Sequence, residues 1–571
     1  MTKDNRSPLD QADHARRSGM SGGDLVQSMT AHGYDKPEMI QAFKHLKEPC
    51  SHESGGDIGT LPSYPIGREW VDGTTKRDVR HTSQDCWDAI AAANVPSQYF
   101  NYCGGPAWVK ASVHEQAFVE QITVPRMTHL LGEVGKWRLG DSTNSKARPC
   151  RPAKAVAEHM VAEPHPRLPW LRRLVRVPIF DSTGTLVMQP GYDAASGLFV
   201  ARRGINIPGV MHAPTAKDVA DALDLIYELV EDFPFVDDAD RTNAIALLLL
   251  PFVRDLIAGP TPLHLLTKPS PGSGGTLLVQ ALLYPALGER SPTLSMPTSQ
   301  VEWEYKMTSI LMTGPTAIVF DNVRTVLDSD QLASALTAAV WQGRQIKTSN
   351  MPRCPITNVW AATGNNVKVS DENARRTLPI RLDAHTDRPF DRTGFRHPNL
   401  IAWAHEHRSR LIHAILTLGQ AWVAEGMPKG SLVVGMFEDW SGAMSGIADV
   451  IGLPDLRANW TEWNETRPTD ENDVRKVLRA WWAEFGARKV KAKDLLPVVG
   501  PLLHIDPGGG QSALTSLGMM LGKWQGRTVD GMEMVGQAVS GSMTWRLIPR
   551  ASEAPVIHLV TNEEKDEQAN T

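Results

Sequence analysis

Apolar residues recur at helical spacing through 216–233 (AKDVADALDLIYELVEDF) and 240–257 (DRTNAIALLLLPFVRDLI), which predicts two helices opening a main domain. From there to about Asp383, short apolar runs alternate with helical stretches. That order implies a mostly parallel sheet with helices on both faces. Helical patterns dominate from Leu400 to about Trp460, and a polar linker follows near Glu465 to Asp470. A last unit starts at Glu471 with three helical stretches, then two strand-like runs, RTVDGMEMVGQAV and MTWRLI, the layout of a winged-helix-like module.

Upstream of the main domain, CWDAIAAAN reads as a helix and FNYCGGPAWVKAS as a hairpin turning at Gly104-Gly105. A second amphipathic helix is expected around Arg126 to Gly135. The run LVRVPIFDSTGTLVMQPGYDAASGLFVAR reads as a small antiparallel sheet. Residues 1–80 show little periodicity beyond a short helical pattern at Asp35 to Leu46 and are read as largely flexible. The expected organisation is a flexible region over 1–80, a small α+β domain over 81–214, a nucleotide-binding core with a helical extension over 215–465, the winged-helix-like domain over 471–550, and a flexible tail over 551–571.

Composition narrows the classes. A chain of 571 residues with 42% hydrophobic and 22% charged residues is globular and multidomain. Its longest apolar stretch, Ala244 to Val253, falls far short of the ~20 residues a bilayer span needs. The polar start MTKDNRSPLD has no signal-peptide core, so a soluble, cytoplasmic protein is expected. Five cysteines (Cys50, Cys86, Cys103, Cys150, Cys354) include no C-x-x-C pair and no zinc-like cluster with histidine. The net charge of −5 leaves a polyanion partner to local patches. One such patch lies between Asp141 and Phe180, where eight basic side chains face three acids; the tail from Ala551 is acidic.

The strongest local feature is a short apolar strand from Leu263, the loop KPSPGSGG, and an apolar helix beginning near Thr276. Glycines let backbone N–H groups turn toward phosphate oxygens, and the helix N-terminus adds partial positive charge. Lys268, Gly272, Ser273, Gly274, Gly275 and Thr276 are therefore candidate nucleotide-binding residues, with Thr276 a magnesium ligand. Laid on the pattern G-x-x-x-x-G-K-[ST], Pro269 takes the first glycine, Gly274 the second, and Gly275 stands where lysine belongs. Lys268, seven residues earlier, is either a substitute for that lysine or a solvated loop residue. Next, TAIVFDN delivers Asp321 at the end of an apolar strand, either as a metal-binding carboxylate or as an ordinary turn residue. The strand NVWAATGNN then ends in Asn365 and Asn366, and DENARR places Arg375 and Arg376 on a short helix.

These phrases, together with NVPSQYFNYCGG, LVMQPGYDAASGLF, IRLD, RPFDRTGFRHPNL and GMFEDWSGAMSGI, make residues from about Cys86 to Arg550 resemble a known family. It comprises the ATPase and helicase region of replication proteins from bacteriophages, plasmids and integrative elements, related to superfamily 3 and AAA+ helicases and often called primase/helicase. The resemblance implies a multidomain α/β protein with a P-loop NTPase core, ATP and Mg²⁺ as ligands, and DNA-helicase or translocase activity in replicating a mobile element. It also implies a ring oligomer, a hexamer in the usual case, with DNA as partner and primase supplied separately. Asp321 is then the Walker B acid, Asn365 or Asn366 the sensor, and Arg375 or Arg376 an arginine finger reaching a neighbour's nucleotide.

Two departures bear on turnover. Gly275 replaces the lysine that offsets charge on the transferred phosphoryl group, and Asn322 stands where many AAA+ relatives place a catalytic glutamate. Glu302 and Glu304 either supply that carboxylate or form an exposed helix face. The alternative to an ATP-driven motor is a catalytically silent nucleotide-binding scaffold, an initiator or loader on DNA. Arg344, Lys347 and Arg353 lie where superfamily 3 proteins place DNA-contacting hairpins, or else on a plain surface loop. Lys523 and Arg527 sit near the expected wing, which either grips duplex DNA or adapts to a protein. Trp460, Trp463, Trp481, Trp482, Trp524 and Trp545 either stack on bases or fill cores.

Overall fold

The computed structural model describes residues 70–550 apart from 73–77, 111–116, 140–147, 163, 202–203, 298, 325, 348–349, 461, 464–469, 504, 507–509 and 540–541. The helix expected at 35–46, residues 1–69 of the region 1–80 expected to be flexible, and the acidic tail lie outside these. So does part of the basic patch.

The central layer is built from helices α1 (Ala216–Val230) and α2 (Asp238–Val253), then strand β1 (Leu263–Lys268), helix α3 (Gly275–Leu287), strand β2 (Thr293–Leu294), helix α4 (Gln300–Leu311), strand β3 (Ala317–Val323), helix α5 (Asp330–Thr337), strand β4 (Val359–Asn365) and strand β5 (Thr377–Arg381). The five strands are parallel and run in the order β2-β3-β4-β1-β5. β1 lies inside the sheet, so the chain leaves it in one direction toward β2, whereas β4 passes over it to reach β5. The carboxyl ends of β1 and β4 thus bound a topological switch point, where open α/β sheets place their ligands.

Local sequence accounts for these elements. Thr215 caps α1 in a reciprocal box with Asp218, and Asp237 caps α2 through the Asp240 amide. α2 is apolar on nearly every side and is buried along almost its whole length. Its AIALLLLPFV run is therefore the central rod of the core, packed against α1, α3 and the sheet. Among the described residues no helix is long and apolar enough to cross a membrane.

On the amino-terminal side, Tyr99–Tyr102 and Gly105–Lys110 form the expected hairpin, but it turns one residue earlier than expected, at Cys103-Gly104, both at the positive φ a tight primed turn requires, with Gly105 paired to Tyr102. Helices Val79–Ala93, Val124–Val134 and Lys154–Val161 share a small core through Trp87, Leu130 and Met160. One expectation is corrected here. Leu198–Val200 pairs antiparallel with Gly191–Asp193 but parallel with Arg173–Val175, so that sheet is mixed. The chain between Val175 and Leu198 is long enough for the return a parallel pair needs, and a separate two-stranded ribbon, Ile179–Phe180 with Leu186–Val187, occupies part of it.

Beyond β5 come α6 (Leu400–Glu406), α7 (Arg408–Ala424) and α8 (Glu438–Ile451), which close the core. The last stretch consists of α9 (Asp470–Phe485), β6 (Val490–Lys491), α10 (Ala492–Val499), α11 (Gly510–Trp524), β7 (Thr528–Val529), β8 (Met532–Val539) and β9 (Ser542–Pro549). Its strands pair antiparallel in the order β6-β9-β8-β7 against three helices. Trp481, Trp524 and Trp545 are buried in this core and Trp463 in the core beneath the sheet, which answers the tryptophan alternative in favour of packing for these four.

One buried group makes the core pH-sensitive. His264 on β1 has no exposed surface, and its Nδ1 lies 3.3 Å from the Trp360 carbonyl oxygen. Burial pushes its pKa from 6.5 down to about 4. The unfolded chain therefore takes up the proton first, so this stabilising term is present at neutral pH and is lost as pH falls through the window between those values. Acidifying from pH 7 to 4.5 should cost the native protein about 2–3 kcal/mol more than it costs His264→Gln, as read from urea midpoints at the two pH values.

Candidate functional site: the carboxyl edge of the parallel sheet

β1 ends at Lys268 and the chain turns through 269–274 into α3. Gly272 and Gly274 adopt φ of +92° and +87°, where side chains are strained. Both are also pressed from outside. A Cβ at Gly272 would lie 2.9 Å from the Phe390 Cβ, and one at Gly274 would lie 3.1 Å from the Phe233 ring. Phe233 is held there because the 233–236 link runs beside the end of β5, with Val236 donating to the Arg381 carbonyl and Asp383 to that of Pro234. Ser273 is buried, and its hydroxyl donates to the Ser270 carbonyl at 3.2 Å. α3 starts with no side chain capping its first amides, which leaves the helix N-terminus open to an anion.

Asp321 is the hub. Its Oδ1 accepts a hydrogen bond from the Thr276 hydroxyl at 2.8 Å and another from the Thr363 hydroxyl at 2.5 Å. These groups come from three elements: Asp321 from β3, Thr363 from the intervening β4, and Thr276 from the first turn of α3. An irregularity in the β3–β4 pairing between Phe320 and Val323, with Asn322 at φ +56°, aims the carboxylate. The Asn322 amide N–H donates to the Thr363 oxygen at 3.1 Å. Thr363 was not among the residues singled out from sequence; its signal is the polar residue in WAATG, one strand away from Asp321.

Lys268 places its ammonium where a side chain at 275 would begin. A Cβ on Gly275 would lie 3.2 Å from Lys268 Nζ, 3.5 Å from its Cδ and 3.6 Å from its Cε. The lysine is half-buried; burial lowers its pKa, and the nearby Asp321 carboxylate opposes that shift. Among the described residues the ammonium has no hydrogen-bond or ion-pair partner.

The two asparagines divide. Asn366 braces the loop, its backbone N–H donating to the Lys268 carbonyl at 3.0 Å and its side chain to that of Pro269 at 3.3 Å. Asn365, paired in register with Lys268, is exposed at the same edge. The arginines lie elsewhere. Leu263, at the start of β1, pairs with Thr377, so Arg375 and Arg376 sit at the amino edge of the sheet. That is about 16 Å from Lys268 at ~3.3 Å per residue, which keeps both away from the 269–274 loop of their own chain. Arg376 is buried and tied to Glu372 at 2.7 Å, whereas Arg375 bonds the same carboxylate and stays two-thirds exposed.

Neither glutamate of α4 supplies a carboxylate to this edge. Glu304 accepts from the Arg344 amide at 2.8 Å and Glu302 lies on an exposed face. The cleft of about 830 Å³ beside Asp321 is lined from this helix by Gln300 and Trp303, and also by Asn322 and Arg324. The Asn322 side-chain oxygen, in the orientation that satisfies both groups, accepts from Arg324 at 3.0 Å.

Between β3 and β4 a ribbon of Val340–Gln342 and Arg353–Pro355 projects a loop. The side chains of Arg344, Lys347 and Arg353 are exposed there without ion-pair partners among the described residues, beside exposed Ile346 and Met351. The base is fixed: Trp341 Nε1 donates to Thr308 at 2.9 Å, and Cys354 is disulfide-bonded to Cys103 of the upstream hairpin. That pairing joins residues 251 apart in sequence, and no spacing signal marks it. In the last module Lys523 is exposed at the end of α11, whereas Arg527 pairs with Asp371 at 3.2 Å and ties the module to the core.

No protein-family model and no curated protein matches the chain. Among solved structures it is similar to the apo C-terminal region of NrS-1, at 12% identity over 74% of this chain and 98% of that one, with a TM-score of 0.31. It is also similar to an SCCmec type IV Cch structure described as an active helicase, at 12% identity over 78% and 90%, TM-score 0.33. A third is an inhibitor-type complex of the JCV helicase, at 15% identity over 42% and 67%, TM-score 0.20. Likeness at this level leaves the chemistry to be read from the residues themselves.

The edge depends on Gly364. A Cβ there would meet the Val323 carbonyl oxygen at 2.6 Å and Val367 Cγ2 at 2.4 Å, so Gly364→Ala must displace the irregularity that aims Asp321. It should lower stability by about 1–3 kcal/mol, measured by equilibrium denaturation against the wild type.

Proposed function

We propose that the chain is an ATP-dependent DNA helicase or translocase serving replication of a mobile genetic element, and that it works as a ring oligomer. The observation that carries this is the convergence of Thr276, Thr363 and Asp321 on one carboxylate oxygen beside an uncapped helix N-terminus at the sheet's switch point. Backbone amides of 272–276 suit the phosphates of ATP. Thr276 and Asp321 are hard oxygen donors 2.8 Å apart and suit Mg²⁺ shared with those phosphates; among the described residues no cluster of three His, Cys, Asp or Glu could hold a metal alone. Bound there, Mg²⁺ would offset charge on the phosphate oxygens. Asn365, exposed at the same edge, is suited to orient the attacking water, whereas Asn366 serves the loop.

The position of Arg375 supports the oligomer. Exposed at the far edge of the sheet, it has no phosphate within reach in its own chain, and a finger role requires a neighbouring copy. The unpaired cations of the ribbon loop, with Ile346 and Met351 between them, suit the backbone and bases of a single strand threaded past several copies. Lys523 is the remaining candidate contact of the winged-helix-like module to duplex DNA. Arg527, engaged with Asp371, is better suited to coupling that module to the core.

Purified protein should hydrolyse ATP faster with single-stranded DNA than without it, and Asp321→Ala should lose at least 100-fold of that rate, an effect of about 2.7 kcal/mol or more. Coupled-assay turnover of both proteins checks this. Turnover no greater than that of the variant, in folded protein that binds DNA, would instead support the silent scaffold.

A further inference from the structure

The cation that phosphoryl transfer needs is missing from its place at the head of α3, where the sequence has Gly275. We infer that Lys268, reaching across the phosphate loop from the end of β1, supplies that charge, and that residue 275 is glycine because the lysine side chain fills its space. This rests on the nucleotide-site reading above and adds to it the group that neutralises the terminal phosphates.

Geometry carries the inference. The residue at 275 begins α3, and a Cβ there would meet the Lys268 side chain. Lys268 brings its Cδ, Cε and Nζ to within 3.5, 3.6 and 3.2 Å of that same Cβ position. A Cβ there would be in ordinary contact with the stem and tight only against Nζ, so a long side chain at 275 would compete with Lys268 for one volume that glycine leaves to it. The strand register fixes the root of the lysine: Lys268 pairs with Asn365, and the Asn366 amide holds its carbonyl at 3.0 Å, so its side chain departs from a braced backbone.

Electrostatics points the same way. A half-buried ammonium without a hydrogen-bond partner lies beside a helix N-terminus, whose partial charge has the same sign. Asp321 lies near enough to act on it but accepts its hydrogen bonds from Thr276 and Thr363 instead. A cation so placed is poorly satisfied in the empty loop and becomes well satisfied when an anion occupies it. Phosphate oxygens cradled by the 272–276 amides are such an anion, and a triphosphate offers more charge to the ammonium than a diphosphate does.

The test is calorimetric titration of the full-length chain with Mg·ATPγS and Mg·ADP, alongside thermal melting of the nucleotide-free protein. Lys268→Ala should weaken ATPγS about 10- to 100-fold, the range of a charge-assisted hydrogen bond, and ADP by less. It should not lower the melting temperature of the empty protein, because the cation it removes has no partner there. The double variant Lys268→Ala/Gly275→Lys, which returns a lysine to the head of α3, should recover most of the lost affinity. The assignment is overturned if Lys268→Ala binds ATPγS as the wild type does while Asp321→Ala is impaired. It is overturned equally if both nucleotides weaken together with a fall in melting temperature, or if the folded double variant binds no better than Lys268→Ala. A wild-type protein that binds neither nucleotide removes the site reading itself, a distinct outcome from failure of the lysine alone.

Discussion

One oxygen, Oδ1 of Asp321, holds the candidate site together. It accepts hydrogen bonds from the hydroxyls of Thr276 and Thr363, so the first turn of α3, β4 and β3 are joined at one acceptor. The constraint is geometric before it is chemical. β3 and β1 are not neighbours, and a carboxylate from one reaches the helix following the other only because the β3–β4 pairing breaks register after Phe320 and Gly364 leaves room for it. A two-hydroxyl collar also orients the acid, as a metal-associated carboxylate must be.

The lysine follows from that arrangement. With Thr276 directed at Asp321, the first turn of α3 presents its amides to the loop, and what it lacks is full positive charge. A P-loop usually carries that charge on the helix, whereas here the strand side delivers it from Lys268. Both routes end in the same volume, which the glycine at 275 leaves to the lysine. The charge is conserved in space and relocated in sequence, so a pattern search keyed to the lysine position misses it, whereas a physical reading of the loop finds it.

Much of this was legible in the sequence. The alternation of apolar runs from 215 to 383 predicts the parallel sheet, the run from Leu263 predicts the strand–loop–helix order, and the apolar run into Asp321 predicts an acid at a carboxyl edge. What was hidden depends on contacts distant along the chain. Thr363 looks like one more strand residue until β4 is seen to lie between β1 and β3. The pressure of Phe233 and Phe390 on the loop glycines comes from segments about 40 residues before and more than 110 after them. The Cys103–Cys354 pair has no local signature, and the mixed sheet around Leu198 arises from a crossover that hydrophobic pattern alone cannot orient. Separation of Asn365 from Asn366, and of Arg375 from Arg376, is a matter of which side chain the backbone turns outward; adjacent like residues carry no sequence mark of that difference.

The most direct test of the central claim is an experimental structure of the protein with Mg²⁺ and a non-hydrolysable ATP analogue. The account predicts phosphates on the amides of 272–276, Thr276 on the metal, and Lys268 Nζ within about 3 Å of a β- or γ-phosphate oxygen. A nucleotide bound there with Lys268 turned to solvent, and the phosphate charge met instead by an arginine of a neighbouring copy, would contradict it.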